Sequence, residues 1–132
     1  MFAALGISGS GMLVHRTWMD AISDNIANVN TVRATDEEAF RARYVIAQAL
    51  ENGSTGAGVA VGGIELSDAQ GRLVFDPTHP LADANGLVRL PEVDLGEQLT
   101  TMIMAQRGYQ ANIAQVDRVK AAYQSALQMG RS

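Results

Sequence analysis

Apolar residues recur at helical spacing toward both ends of the chain and cluster at strand-like spacing between them. Near the amino terminus Leu5, Met12, Met19 and Ile26 stand seven residues apart, Ile22 and Val29 add an offset row, and Trp18 lies at its edge. This spacing predicts an amphipathic helix with a heptad-like stripe. Gly6, Gly9 and Gly11 weaken its first turns, each by about 1 kcal/mol relative to alanine in a helix interior. Toward the carboxy terminus, positions alternately four and three apart read Leu95, Leu99, Met102, Gln106, Tyr109, Ile113, Val116, Lys120, Tyr123 and Leu127. Only Gln106 and Lys120 interrupt that stripe. Asp94 followed by Glu97 forms a capping-box pattern with Asp in the capping place, Pro91 stands upstream, and Gly130 supplies a stop. About 36 residues at ~1.5 Å each predict a rod of roughly 54 Å. Gly108 inside it admits the close approach of another backbone.

The middle of the chain has a different pattern. RYVIAQAL (43–50), GVAVGGIEL (58–66) and RLVFD (72–76) are short, rich in Val, Ile and Leu, and separated by turn-forming residues. GSTGAGVAVGG (53–63) reads as a flexible hairpin loop, and 76–94 as an extended connection with a tight turn at Asn85-Gly86. The chain thus divides into an amino-terminal helix (1–32), a small β module with an extended linker (33–92) and a carboxy-terminal helix (93–132). The predicted fold is mainly α with a small β module. Long terminal helices pack as an antiparallel, coiled-coil-like pair, with short strands between them. Together the two stripes offer more apolar surface than one helix pair can hide, so the chain is built to meet partners.

Composition sharpens this picture. Hydrophobic residues make up 47% of the 132 positions but aromatics only 5%, a balance that suits helix-on-helix contact better than a thick core. The net charge of −4 gathers in residues 31–92 and leaves no basic patch, which argues against nucleic acid. Cysteine is absent, so neither a disulfide framework nor a thiolate metal site is available. The first residues lack the basic start and cleavage pattern of a secretory leader, and no apolar run reaches the ~18 residues needed to cross a bilayer.

Candidate chemistry is thin. The glycine-rich stretch lacks the Gly-Lys-Ser/Thr ending of a phosphate cradle. Asp36, Glu37 and Glu38 lack the alternate spacing of a calcium loop and read as a solvated turn. His15 and His79 have no ligand partner at metal spacing, and no serine sits in a nucleophile elbow. No catalytic site, cofactor or metal is expected. Asn25 and Asn28 are the unusual polar residues, set three apart on the flank of the Ile22, Ile26 and Val29 stripe. Two readings stand open for them. They close the helix, or their amides fix register against a neighbouring helix.

SDNIANVNT (23–31) resembles the amino-terminal motif of the bacterial flagellar axial proteins, the family of rod, hook and hook-associated subunits. AQRGYQANIAQVDRVKAAYQSALQMG (105–130) resembles their carboxy-terminal motif, with Arg107, Tyr109, Gln110, Ala111 and Asn112 on its Arg-x-Tyr-x-Ala-Asn element. DPTHPLADANGLVRLPEVD (76–94) is similar to the segment before the last helix in a proximal-rod member. The resemblance implies a non-enzymatic structural subunit of the proximal rod. Such subunits are exported through the flagellar type III apparatus without signal cleavage and polymerise in the periplasm into the shaft that carries motor torque to the hook. Implied partners are other copies, other rod proteins, the rod-base and export-gate components and the MS ring. The assembly interface it implies comprises Met12, Trp18, Met19, Ile22, Asn25, Ile26, Asn28, Val29, Leu99, Met102, Arg107, Tyr109, Asn112, Ile113, Val116, Tyr123 and Leu127. The nearest alternative is another flagellar rod subunit; a cytoplasmic coiled-coil adaptor or export chaperone would share the helices but has no need of both terminal motifs.

Overall fold

In the computed structural model, which describes residues 1–131, two long helices enclose two small antiparallel sheets. Helix α1 runs Phe2–Ala27 and helix α2 runs Leu95–Met129. Between them come β1 (Arg43–Asn52), β2 (Thr55–Leu66), β3 (Arg72–Phe75) and β4 (Leu87–Leu90), paired β1 with β2 and β3 with β4. At ~1.5 Å per residue the helices span about 39 and 52 Å.

The start of α2 follows its sequence signal. The Asp94 side chain accepts a hydrogen bond from the Glu97 amide at 3.0 Å, satisfying one of the donors that every helix start leaves free. Helix α1 ends at Asn28. The Asn28 amide bonds back to the Asp24 carbonyl, its side-chain nitrogen donates to the same carbonyl at 2.9 Å, and its oxygen accepts from the Thr31 hydroxyl.

The helices pack antiparallel through a seam that is mostly small and polar. Asn25 meets Gln98 by a 3.0 Å hydrogen bond, Gly108 lies against the His15 ring, and Gly11 lies against the Asn112 side chain. From Asn25 back to His15 is ten residues, and from Gln98 on to Gly108 is also ten; the next step is four on each helix. The pairing therefore holds one register along its length. A methyl on Gly11 would sit 2.8 Å from Asn112 Oδ1, and one on Gly108 would run into the imidazole, so a larger residue at either place would push those side chains out of the seam. The seam departs from the expected stripe. Gln98, Ala105, Gly108 and Asn112 face α1, whereas Leu95, Leu99, Ile113, Tyr123 and Leu127 are exposed. The reason is steric: small side chains let the backbones approach, and the larger apolar row is turned aside.

The β1–β2 hairpin lies along α1. Its turn at Gly53-Ser54 has Gly53 at φ 66°, the positive value that a two-residue hairpin with glycine in the first central place demands. Strand β2 begins at Thr55 and carries the extra residues at both irregularities of the ladder. The expected loop over 53–63 is thus mostly strand. Its alternation was hidden by glycines, which here supply bulges and close approaches such as Gly62 beside Gln48. Strands β3 and β4 form a separate ribbon. Arg33 pairs with Arg89 along its edge, and the Arg89 guanidinium donates to the Thr35 carbonyl at 2.7 Å and to Gln70. The buried apolar side chains are few and small: Val14, Ala21, Ile22, Ala39, Ala42, Val88 and Ala105.

Candidate assembly surface

The junction of helices and hairpin centres on Asn25, which is fully buried. Its side-chain nitrogen donates to the Arg43 carbonyl at 2.9 Å and to Gln98 Oε1 at 3.0 Å, while its oxygen accepts from the Arg43 amide at 2.8 Å. One side chain thus joins α1, α2 and the first residue of β1. Asn28 stands at the helix end described above. Of the other residues in the expected interface, Ile22 is buried, Asn112 is half-buried in the seam against Gly11, and Met12, Trp18, Met19, Ile26, Val29, Met102, Tyr109 and Val116 are half-buried along the flanks of the helix pair. Leu99, Arg107, Ile113, Tyr123 and Leu127 are exposed.

Further exposed apolar residues, Ile103 among them, enlarge this surface beyond the stripe read from the sequence. Leu95, Leu99 and Ile103 form an i, i+4, i+8 row on α2, with Leu99 49% and Ile103 51% exposed. Leu95 and Leu99 open the four-three stripe read from the sequence, which then steps to Met102 rather than to Ile103. Phe2, Ile7 and Leu13 stand out from α1, and Leu73 and Phe75 from β3. Beyond Tyr123, α2 has passed the start of α1, and residues 124–131 extend exposed to solvent. Leu127, in this overhang, is 52% exposed.

The total confirms the impression. The chain exposes 8668 Å², whereas a folded monomer of 14.0 kDa exposes about 6,700 Å² by the area–mass relation. The difference, about 2,000 Å², exceeds the ~800 Å² that each partner contributes to a standard protein interface.

The electrostatics offer little for catalysis. A surface concavity of about 510 Å³ is lined by Tyr44, Ser67, Arg72, Glu92, Val93, Asp94 and Glu97. Burial, and then the Glu97 and Glu92 carboxylates, raise the Tyr44 phenol above its ordinary pKa, so it is a neutral hydrogen-bonding group there. Asp83 is lowered, first by the Leu87 amide and further by the Asn85 amide and the Thr35 hydroxyl; these bonds, 2.8 to 3.1 Å long, shape the turn before β4. Among the described residues no three His, Cys, Asp or Glu side chains gather as a metal site, and no helix is long and apolar enough to cross a membrane.

Comparison with known proteins agrees with a surface built for assembly. The family model "Flagella basal body rod protein" matches residues 5–35, and "Flagellar basal body rod FlgEFG protein C-terminal" matches residues 84–129. The chain is 34% identical to the flagellar basal-body rod protein FlgC of Salmonella typhimurium over 126 residues, covering 95% of this chain and 94% of that one. It is 34% identical to FlgC of Borreliella burgdorferi, with 96% and 95% covered, and 31% identical to FlgC of Bacillus subtilis, with 98% of each covered. The two models fall on the two helical ends, and the relatives align across the hairpin and the ribbon as well, so the chain belongs to the FlgC family of flagellar basal-body rod proteins.

Proposed function

We propose that this structural rod subunit is laid into the proximal rod through its paired terminal helices. The exposed row Leu95, Leu99 and Ile103, together with Ile113, Tyr123 and Leu127, meets neighbouring subunits. Met12, Trp18, Met19, Ile26, Asn28 and Val29 flank the same surface on α1, and Met102, Arg107, Tyr109 and Val116 do so on α2, while Asn112 stands in the seam against Gly11. Ile22 and Asn25 act from inside, holding the helices in the register that presents it. Neighbours are other copies, other rod proteins and, at the base, export-gate and MS-ring components. The subunit reaches the periplasm through the type III export apparatus without leader cleavage.

The observation that carries this reading is the surface excess: large apolar side chains lie outside a seam made mostly of glycine, alanine, asparagine, glutamine and histidine. Ordering a residue's backbone costs ~1–2 kcal/mol, and a core this small offsets little of it. Burial against neighbours supplies the rest, so folding of the helical ends is coupled to assembly. A contact that does not close on itself extends as a helix of subunits, the geometry a torque-bearing shaft requires.

The test is Leu99→Asp, with Ile113→Asp as a second site. Both positions are exposed, so the isolated chain should keep its circular dichroism and lose no more than ~0.5 kcal/mol of stability. Cells carrying either variant should export the protein yet fail to swim and yield no complete rods. Normal swimming would remove these faces from the interface.

A further inference from the structure

Hairpin β1–β2 is a two-stranded ribbon with an open edge on each side. Its register fixes which backbone groups face outward. Asn52 and Thr55 flank the two-residue turn, so Asn52, Leu50, Gln48, Ile46 and Tyr44 direct their amides and carbonyls into the ladder. The odd-numbered residues of β1 direct theirs away from it. Arg43 agrees, since both its backbone groups are taken by Asn25. The same parity turns Val59, Val61, Ile64 and Leu66 outward on β2, and the Val59 amide is taken by Ser10 Oγ at 3.1 Å. Helix α1 therefore covers β1 at its base and β2 near its tip. Val45, Ala47 and Ala49 on one strand, and Val61, Ile64 and Leu66 on the other, keep outward backbone groups that pair with no other strand in the fold.

The β1 edge lacks the devices that keep strands apart. VIAQAL (45–50) contains no charge and no proline, and both bulges lie on β2, leaving β1 regular. The side chains beside the two edges also differ in size. Those on β1 include Ala47 and Ala49, whereas β2 presents Val61, Ile64 and Leu66, with Ile64 51% exposed. Residues 45, 47 and 49 share one face of the ribbon with 61, 64 and 66. An antiparallel pairing of β1 with β2 of a second copy, Val45 beside Leu66, Ala47 beside Ile64 and Ala49 beside Val61, would keep that face continuous and set small residues against large ones.

We propose that, in the assembled rod, the β1 edge of one subunit takes the β2 edge of a second copy of this chain, joining the hairpins into one intermolecular antiparallel sheet. The proposal rests on the rod-subunit reading above. The contact is heterologous, one edge meeting the other, so it repeats without a two-fold axis.

The natural chain has no cysteine, which makes cross-linking clean. Two differently tagged copies, one with Ile46→Cys and the other with Glu65→Cys, are expressed together in cells lacking the untagged chain. In the proposed register residues 46 and 65 of neighbouring copies form a close pair without mutual backbone bonds. Mild oxidation should join the two tags in isolated basal bodies. Copies with only one of the cysteines, or with Ser54→Cys in place of either, should give no such product. Basal bodies that contain both tags and swim normally, but give no mixed cross-link, would overturn the sheet. So would a product joining either tag to a different rod protein. Absence of both tags from basal bodies would instead refute the rod-subunit reading, and the sheet with it.

Discussion

At the scale of single residues, Asn25 holds the most consequence. It answers backbone donor and acceptor of Arg43 and the Gln98 amide at once, so Asn25→Ala strands three polar groups in a closed junction. A cost of about 2–4 kcal/mol is expected, read as a lowered urea midpoint of the isolated chain. An unchanged midpoint would mean the junction is open to water. Asp83 makes a prediction with a sign. Its folded pKa lies below the ordinary aspartate value because the Leu87 and Asn85 amides and the Thr35 hydroxyl favour the carboxylate. The turn's stability is therefore fully present above the unfolded pKa of ~3.9 and is lost as pH falls through the lower folded value. A carbon-detected NMR titration should place the Asp83 midpoint below that of free aspartate, and Asp83→Asn should remove the acid transition of the Leu87 amide.

Among the elements, α2 stands apart because it is longer than its partner. The register that sets Gly108 on His15 and Asn112 on Gly11 brings Tyr123 to the beginning of α1, where Met1, Phe2 and Leu5 form a shallow apolar cleft with Val119 and Lys120. Residues past Tyr123 continue without a helix beside them. A chain ending at Tyr123 should accordingly unfold within ~0.5 kcal/mol of the full chain yet assemble poorly, measured as rods recovered from cells. If truncation unfolds the isolated chain, the overhang stabilises the monomer after all. The hairpin shows the converse economy. Ribbons of two strands are marginal alone, and this one leans on α1 through Asn25, Ser10 and a few small side chains.

For the whole molecule, surface decides. An area of 8668 Å², with buried apolar side chains few and small, describes a body left partly open. Trypsin acting on the free chain should cut first at Arg16 on α1 and at Arg118 and Lys120 on α2, leaving the β region longest, and those cuts should slow in isolated basal bodies. Equal resistance along the free chain would contradict coupled folding and assembly.

The helices, their antiparallel sense and the strands near 43–50, 58–66 and 72–76 were legible in the sequence, because apolar period and capping residues act locally. The sequence by itself also marked the two terminal motifs and the excess of apolar stripe. Which row of α2 would face α1 was not legible. A periodic stripe says that a helix has a greasy side, but close packing depends on how near two backbones can come, and that was decided by Gly11 and Gly108 meeting Asn112 and His15 across nearly a hundred residues of chain. The same holds for Asn25. Its amide could close a helix or bridge elements, and only the fold, by bringing Arg43 and Gln98 to it, chose the bridge. Local pattern fixes what each segment becomes; contacts between distant residues fix which of its faces is left for others.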